Sequence, residues 1–135
     1  DVIVVGPGSL YTSLLPNLLV HDLLSGIRAS RAIKIYVCNI ATQDGETDSF
    51  TAYDHVSALE SHVGGDIFDV ILCNTNYTGE LNPISAWVRL DEETLADERT
   101  YATDLAENAH PWRHDSAKLA QVIMDIYNER TGPLA

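Results

Sequence analysis

Basic residues are scarce in this chain: eight Lys and Arg stand against twenty Asp and Glu among 135 residues, giving a formal net charge of −12 and a pI near 4.5. Such a surface repels phosphate backbones and anionic membranes at long range, so neither nucleic acid nor a membrane is an expected partner. Only two cysteines occur, Cys38 and Cys73, both inside apolar runs. They are too few for a stapled secreted scaffold, and a cytoplasmic location is expected. No apolar run approaches the roughly 20 residues of a membrane span, because Pro16, Asn17, His21 and Asp22 interrupt the richest one. The histidines (His21, His55, His62, His110 and His114) show no spacing such as H-E-x-x-H, so no metal is expected. What the chain does have is 45% hydrophobic residues against 21% charged. That balance supports one buried core, and the length suits a single α/β domain over residues 1–135.

Asp1 leads straight into an apolar run without a basic leader or a cleavage site. The expectation is a chain that forms the later part of a longer protein. Val2 to Val5 reads as a strand buried on both faces, broken by Gly6-Pro7-Gly8-Ser9. Leu10 to Ile27 is apolar at helical spacing, and Pro16 is expected to split it into two helices. Ile33 to Cys38 and Asp69 to Cys73 read as further buried strands, with weaker ones over Ala86 to Leu90 and Thr100 to Leu105. Between the second and third strands, Thr51 with Asp54 forms a capping-box pattern. The helix it opens has a stripe of Ala52, Val56, Leu59 and Val63, stopped by Gly64-Gly65. Asp115 caps a last helix with an apolar face of Leu119, Ala120, Ile123, Ile126 and Tyr127, ended by Gly132-Pro133. The alternation implies a parallel sheet with helices on both faces.

In such sheets ligands bind beyond the carboxyl ends of the strands. There the sequence offers Gly6-Pro7-Gly8-Ser9, Asn39 and Asn74. Gly8 is expected to adopt backbone angles closed to other residues, and free N–H groups of Gly8, Ser9 and Leu10 would open a helix. Hydroxyls of Ser9, Thr12 and Ser13 would complete an anion cradle; the alternative is a plain strand-to-helix turn. Known loops do not match. A G-x-G-x-x-G loop needs glycine where Tyr11 stands, a Walker loop needs an absent lysine, and a nucleophile elbow needs glycines where Pro7 and Tyr11 stand. A Ser9–His114 hydrolase is therefore disfavoured. Asn39 and Asn74 either read a base or sugar with their amides or cap the helices after them. Asp44, Glu46 and Asp48 alternate like a calcium loop, but Ser49 and His55 stand where glycine and glutamate belong, which leaves a solvated acidic loop. Arg113, beside the cap of the last helix, is either an anion ligand or an exposed ion pair. His114 is a candidate acid or base.

Several blocks together resemble a known family: Gly6-Pro7-Gly8-Ser9-Leu10-Tyr11-Thr12-Ser13 with Pro16-Asn17-Leu18-Leu19, Cys38-Asn39 with Thr42-Gln43, Gly45-Glu46-Thr47-Asp48, Asp54-His55-Val56, and Arg113-His114-Asp115. They are similar to the gluconeogenesis-factor branch of the 2-phospho-L-lactate transferase-like (CofD-like) superfamily. The resemblance implies a Rossmann-like fold whose N-terminal portion is missing here. It implies a regulatory protein tied to gluconeogenic growth, cell-wall homeostasis and cell shape, which binds a nucleotide or nucleotide sugar such as UDP-N-acetylglucosamine, with NAD as another ligand of this fold. In that case Gly6, Pro7, Gly8, Ser9, Thr12 and Ser13 would hold phosphates, Asn39 and Asn74 would line the pocket, Arg113 would meet the diphosphate or sugar, and Tyr77 would belong to the sugar site. The alternative is a transferase of phosphorylated small molecules using Mg²⁺. A homo-oligomer is compatible with either.

Overall fold

The computed structural model describes residues 1–132. In chain order the elements are β1 (Val2–Val5), a π-helical turn (Leu10–Leu14), α1 (Leu15–Leu18), α2 (His21–Ala29), β2 (Ile33–Val37), α3 (Ala52–Val63), β3 (Val70–Asn74), α4 (Glu92–Ala96), β4 (Thr100–Thr103) and α5 (Ser116–Thr131). The four strands form one parallel sheet in the order β1-β2-β3-β4. Its register pairs Val2 with Ile33, Ile35 with Val70, and Ile71 with Thr100. All four carboxyl ends therefore lie along one edge.

Alternation along the central strands sorts their side chains between two cores. Tyr36, Cys38, Ile71 and Cys73 face one way, against Leu10, Leu15 and Leu18 from the first connection and Val56, Leu59 and Val63 of α3. Ile35, Val37, Val70 and Leu72 face the other way, against Leu105 and Ile126, with Leu119, Val122 and Ile123 of α5 packed alongside. Successive strands advance in one direction, so right-handed crossovers bring the connecting helices to one face and leave the other to α5. Helices on both faces, in a Rossmann-like α/β arrangement, are thus realised among the described residues.

Local signals hold where a side chain closes a backbone gap. Thr51 accepts the Asp54 N–H at 3.2 Å while Asp54 accepts the Thr51 N–H at 2.8 Å, closing the expected capping box. Asp115 accepts from the N–H groups of Ala117 and Lys118 at 2.9 and 3.1 Å and starts α5. Three expectations change and one unexpected helix appears. Pro16 does not split its helix: it sits in the first turn of α1. The π-type bonds Leu14 N–H to Ser9 O and Leu15 N–H to Leu10 O end just before the ring, so its missing donor is not needed there. The break falls instead at Leu19–Val20. Ala86 to Leu90 is not a strand, having a single bridge between Ala41 and Trp87 rather than a ladder. Glu92–Ala96 is a helix capped by Asp91, too short to show a period in the sequence. On α5 it is Val122 that packs on the sheet, whereas Ala120 is exposed. Gly132, at φ +47°, is the C-cap of α5; the expected stop at Pro133 lies outside the described residues. No helix among the described residues is long and apolar enough to cross a membrane.

Candidate ligand site at the carboxyl edge of the sheet

The chain leaves β1 through a passage only glycine permits. Gly6 has φ +85°, and a Cβ there would lie 2.7 Å from the Val37 carbonyl oxygen at the end of β2. The Gly6–Pro7 bond is cis. The positive φ expected at Gly8 thus belongs to Gly6. Gly8 is held by a side chain: its N–H donates to Asn39 Oδ1 at 3.1 Å, and Asn39 Nδ2 donates to its carbonyl at 2.9 Å. Asn39 thereby clamps the loop from the end of β2.

The expected row of free donors is accordingly reduced. The Gly8 N–H is used by Asn39, while the N–H groups of Ser9 and Leu10 have no protein acceptor among the described residues. Glu46 reaches across from the acidic loop. Its carboxylate accepts the Tyr11 N–H at 2.8 Å and lies 2.8 Å from the Ser9 hydroxyl, which also contacts Thr12 Oγ1. The acidic loop is therefore not simply solvated. Thr47 is fully buried in it, and its hydroxyl accepts the Gln43 N–H at 2.9 Å, a turn that fixes where Glu46 points.

A cavity of about 270 Å³ opens above this loop, lined by Pro7, Gly8, Ser9, Asn39, Ile40, Ala41, Gln43, Trp112 and His114. His114 Nε2 is buried there without a hydrogen-bond partner. Desolvation lowers the His114 pKa below the ordinary histidine value, with partial offset from the Cys38 carbonyl, so the ring is neutral at pH 7. With its other nitrogen donating to that carbonyl, the neutral imidazole leaves Nε2 as an acceptor, which becomes a donor when the ring takes up a proton. A second cavity of about 440 Å³ shares Ala41, Gln43 and Trp112 with the first, and is lined further by Thr42, Leu81, Asn82 and Ser85. A larger groove of about 620 Å³ beside β1 is lined mainly by aliphatic side chains such as Ile3, Val4, Leu18, Leu23 and Ile27. Converging polar groups, rather than volume, mark the carboxyl edge as the candidate site.

Other candidate residues are placed outside this cavity. Asn74 is 3% exposed and spends its amide internally: Oδ1 accepts from Asn76 and Leu105 N–H groups at 3.1 and 3.0 Å, and Nδ2 donates to the Asn76 carbonyl at 2.7 Å. Tyr77 sits 4.7 Å beneath the Arg89 guanidinium and 6.1 Å from the Trp87 ring, and does not line this cavity. Thr12 and Ser13 lie on the exposed first turn after the loop. Arg113 follows a turn in which its N–H bonds the His110 carbonyl, and its side chain is exposed with Glu107 4.0 Å away. Trp112 and His114, on either side of it, line the cavity.

Reading the residues in order missed Glu46, Gln43, Trp112 and Asn82. For Glu46 the signal was present, since it stands in the Gly45-Glu46-Thr47-Asp48 block, but its bond to Ser9 spans 37 residues. A lone exposed tryptophan in a turn has no pattern to read.

Comparison with known proteins gives this geometry a family. A family model described as 2-phospho-L-lactate transferase CofD matches residues 1–131. The Gluconeogenesis factor of Halalkalibacterium halodurans is 40% identical over 93% of this chain and 42% of its own length. That of Bacillus subtilis is 38% identical over 96% of this chain and 44% of its own. A crystal structure of a UPF0052-family protein from Bacillus halodurans superposes with a TM-score of 0.80 at 38% identity, covering 92% of this chain and 43% of that one. The chain thus spans less than half the length of these relatives, and along nearly all of its own length it belongs to the CofD family.

Proposed function

We propose that the cavity at Gly8, Ser9, Asn39 and His114 receives the diphosphate of a nucleotide sugar of the UDP-N-acetylglucosamine type. The protein acts as a sensor of that ligand, in the service of gluconeogenic growth, cell-wall homeostasis and cell shape. The observation that carries this reading is the buried, unpartnered Nε2 of His114 facing a loop whose Ser9 and Leu10 N–H groups also lack acceptors. An anion there gains the Ser9 and Leu10 N–H groups, gains the His114 Nε2–H by drawing a proton onto the ring, and sits where a helical turn begins. Arg113 adds charge: its neighbour Glu107 is 4.0 Å away, beyond a direct hydrogen bond, so the guanidinium is available to a better acceptor. Two relatives carry the name Gluconeogenesis factor, which supports the regulatory setting. NAD is a second ligand with the same diphosphate chemistry. Calorimetric titration of the full chain with UDP-N-acetylglucosamine, with NAD in parallel, tests the reading. Saturable binding is expected, and no heat at millimolar ligand overturns it.

The description of the matching family model favours a second reading, a transferase of phosphorylated small molecules assisted by Mg²⁺. Its signature is turnover with a deazaflavin acceptor, whereas binding without turnover supports the sensor.

A further inference from the structure

Between Thr42 and Thr51 the chain makes a loop whose hydrogen bonds close on themselves. The Glu46 and Thr47 N–H groups donate to the Gln43 carbonyl at 3.1 and 3.0 Å, and the Phe50 N–H donates to the Thr47 carbonyl at 3.1 Å. The Thr47 hydroxyl accepts the Gln43 N–H at 2.9 Å, and Asp48 Oδ2 accepts the Gly45 N–H at 2.8 Å. Both ends of the loop are stitched to one stretch of chain. Thr42 and Ala86 exchange two bonds, Thr42 N–H to the Ala86 carbonyl at 2.8 Å and Ala86 N–H to Thr42 Oγ1 at 2.9 Å, and the Ala52 N–H donates to the Arg89 carbonyl at 2.9 Å. Underneath, Thr47 is buried and the Phe50 ring stands edge-on to His55 at 5.5 Å between centroids. The base of the loop is thus fixed, whereas Gln43, Asp44 and Gly45 at its tip are exposed. Gly45 has φ +76° and no atom within 4 Å of where a Cβ would stand, which gives the tip room to turn.

Among the described residues the tip has one polar tie to the rest of the molecule: the Glu46 carboxylate, on the Ser9 hydroxyl and the Tyr11 N–H, each at 2.8 Å. Those donors belong to the loop proposed to receive the anion. Ser9, Leu10 and Tyr11 present three consecutive N–H groups; Glu46 takes the third, while the first two have no protein acceptor among the described residues. Glu46 is therefore a resident anion at one side of the phosphate position. No basic side chain pairs with it among the described residues. A second anion arriving beside it meets like charge with no cation between them, and in a half-buried site water screens that repulsion only in part.

Resting on the phosphate site proposed above, we infer that Glu46 is an autoinhibitory latch: its carboxylate holds the tip of the acidic loop on Ser9 and Tyr11, and an anion entering the site displaces it. The tip, Gln43 to Glu46, then turns outward about Gly45 while Thr47 and the stitched ends stay in place. Binding is thereby converted into a change of the loop at the surface. Amide hydrogen exchange of the full chain, read residue by residue by NMR with pyrophosphate as the probe, tests the latch. Saturating pyrophosphate is expected to speed exchange at Gly45 and Glu46 roughly tenfold, the reverse of the protection a ligand gives to groups it touches. In Glu46→Ala the tip amides exchange fast without ligand, pyrophosphate adds no further change, and calorimetry shows about fivefold tighter binding because no closed state competes. Pyrophosphate that binds while exchange at Gly45 and Glu46 stays unchanged or slows overturns the latch. So does a Glu46→Ala chain that binds no more tightly than the unaltered one. The exchange measurement on the unaltered chain decides the matter even if Glu46→Ala fails to fold. Failure of pyrophosphate to bind the unaltered chain and the variant alike is a different result, which overturns the phosphate site and the latch with it.

Discussion

The same dipeptide, Cys-Asn, follows β2 as Cys38-Asn39 and closes β3 as Cys73-Asn74, one pair beyond the matched residues Val37 and Leu72. Their asparagines nevertheless hold different things. Asn74, buried, gathers the Asn76 and Leu105 backbones and so ties β3 to the segment that leads into α5. Asn39, half-buried, grips one peptide of the glycine loop and lines a cavity. An asparagine at a strand end thus becomes scaffold or site according to what comes within reach of its amide. Neither the residue nor its place in the sheet decides the matter.

Mutation separates the two. Asn74→Ala leaves the buried Leu105 N–H and the Asn76 N–H without an acceptor, and an expected loss of about 2–4 kcal/mol appears in urea denaturation. Affinity of the folded protein for UDP-N-acetylglucosamine stays unchanged. Asn39→Ala is milder for the fold, about 1–2 kcal/mol. It also frees the loop, so affinity drops roughly tenfold through lost preorganisation. Equal behaviour of the two variants in both assays would erase the distinction.

A third variant extends the contrast to the Arg113-His114-Asp115 run. Asp115→Ala removes the N-cap of α5 and is expected to cost about 1 kcal/mol of stability with little change in affinity. Arg113→Ala, by contrast, is expected to weaken the ligand and spare the fold. A fourth concerns the carboxylate set at the cradle. Glu46 accepts from Ser9 and Tyr11 and opposes an incoming anion, so Glu46→Gln is expected to tighten the sugar nucleotide by roughly threefold at low salt, with the gain shrinking as salt rises. An unchanged affinity would show that Glu46 only holds the loop.

The smallest effect is one of pH. Desolvation lowers the pKa of both His55 and His114 in the folded chain. The unfolded chain therefore takes up these protons first, near pH 6.5, as the pH falls. Their contribution to stability is full above about that pH and declines through the window between the unfolded and folded values. Chemical denaturation followed from pH 7.5 to pH 5 checks this, and His114→Gln should flatten part of the slope.

The sheet was legible because β-branched runs such as Val2-Ile3-Val4-Val5 satisfy one strong requirement, burial on both faces. The caps at Thr51 and Asp115 were legible because their bonds reach only two or three residues. The site was legible in outline at Gly6 to Ser9 and Asn39, yet its occupants depend on contacts across the chain. The Glu46–Ser9 bond and the shared wall of Gln43 and Trp112 arise when distant loops meet over the sheet edge. Ala86 to Leu90 shows the converse: its composition suits a strand, but among the described residues it meets the short Ile40–Thr42 segment rather than a strand of the sheet, and a single bridge forms.

The central claim is that the cavity of Gly8, Ser9, Asn39 and His114 takes up a diphosphate. Histidine-labelled full chain, titrated with acid under NMR observation with and without saturating UDP-N-acetylglucosamine, tests it most directly. A diphosphate beside Nε2 favours the protonated ring, so the His114 titration should move upward when ligand is present. A His114 titration that stays in place with ligand bound would contradict the account.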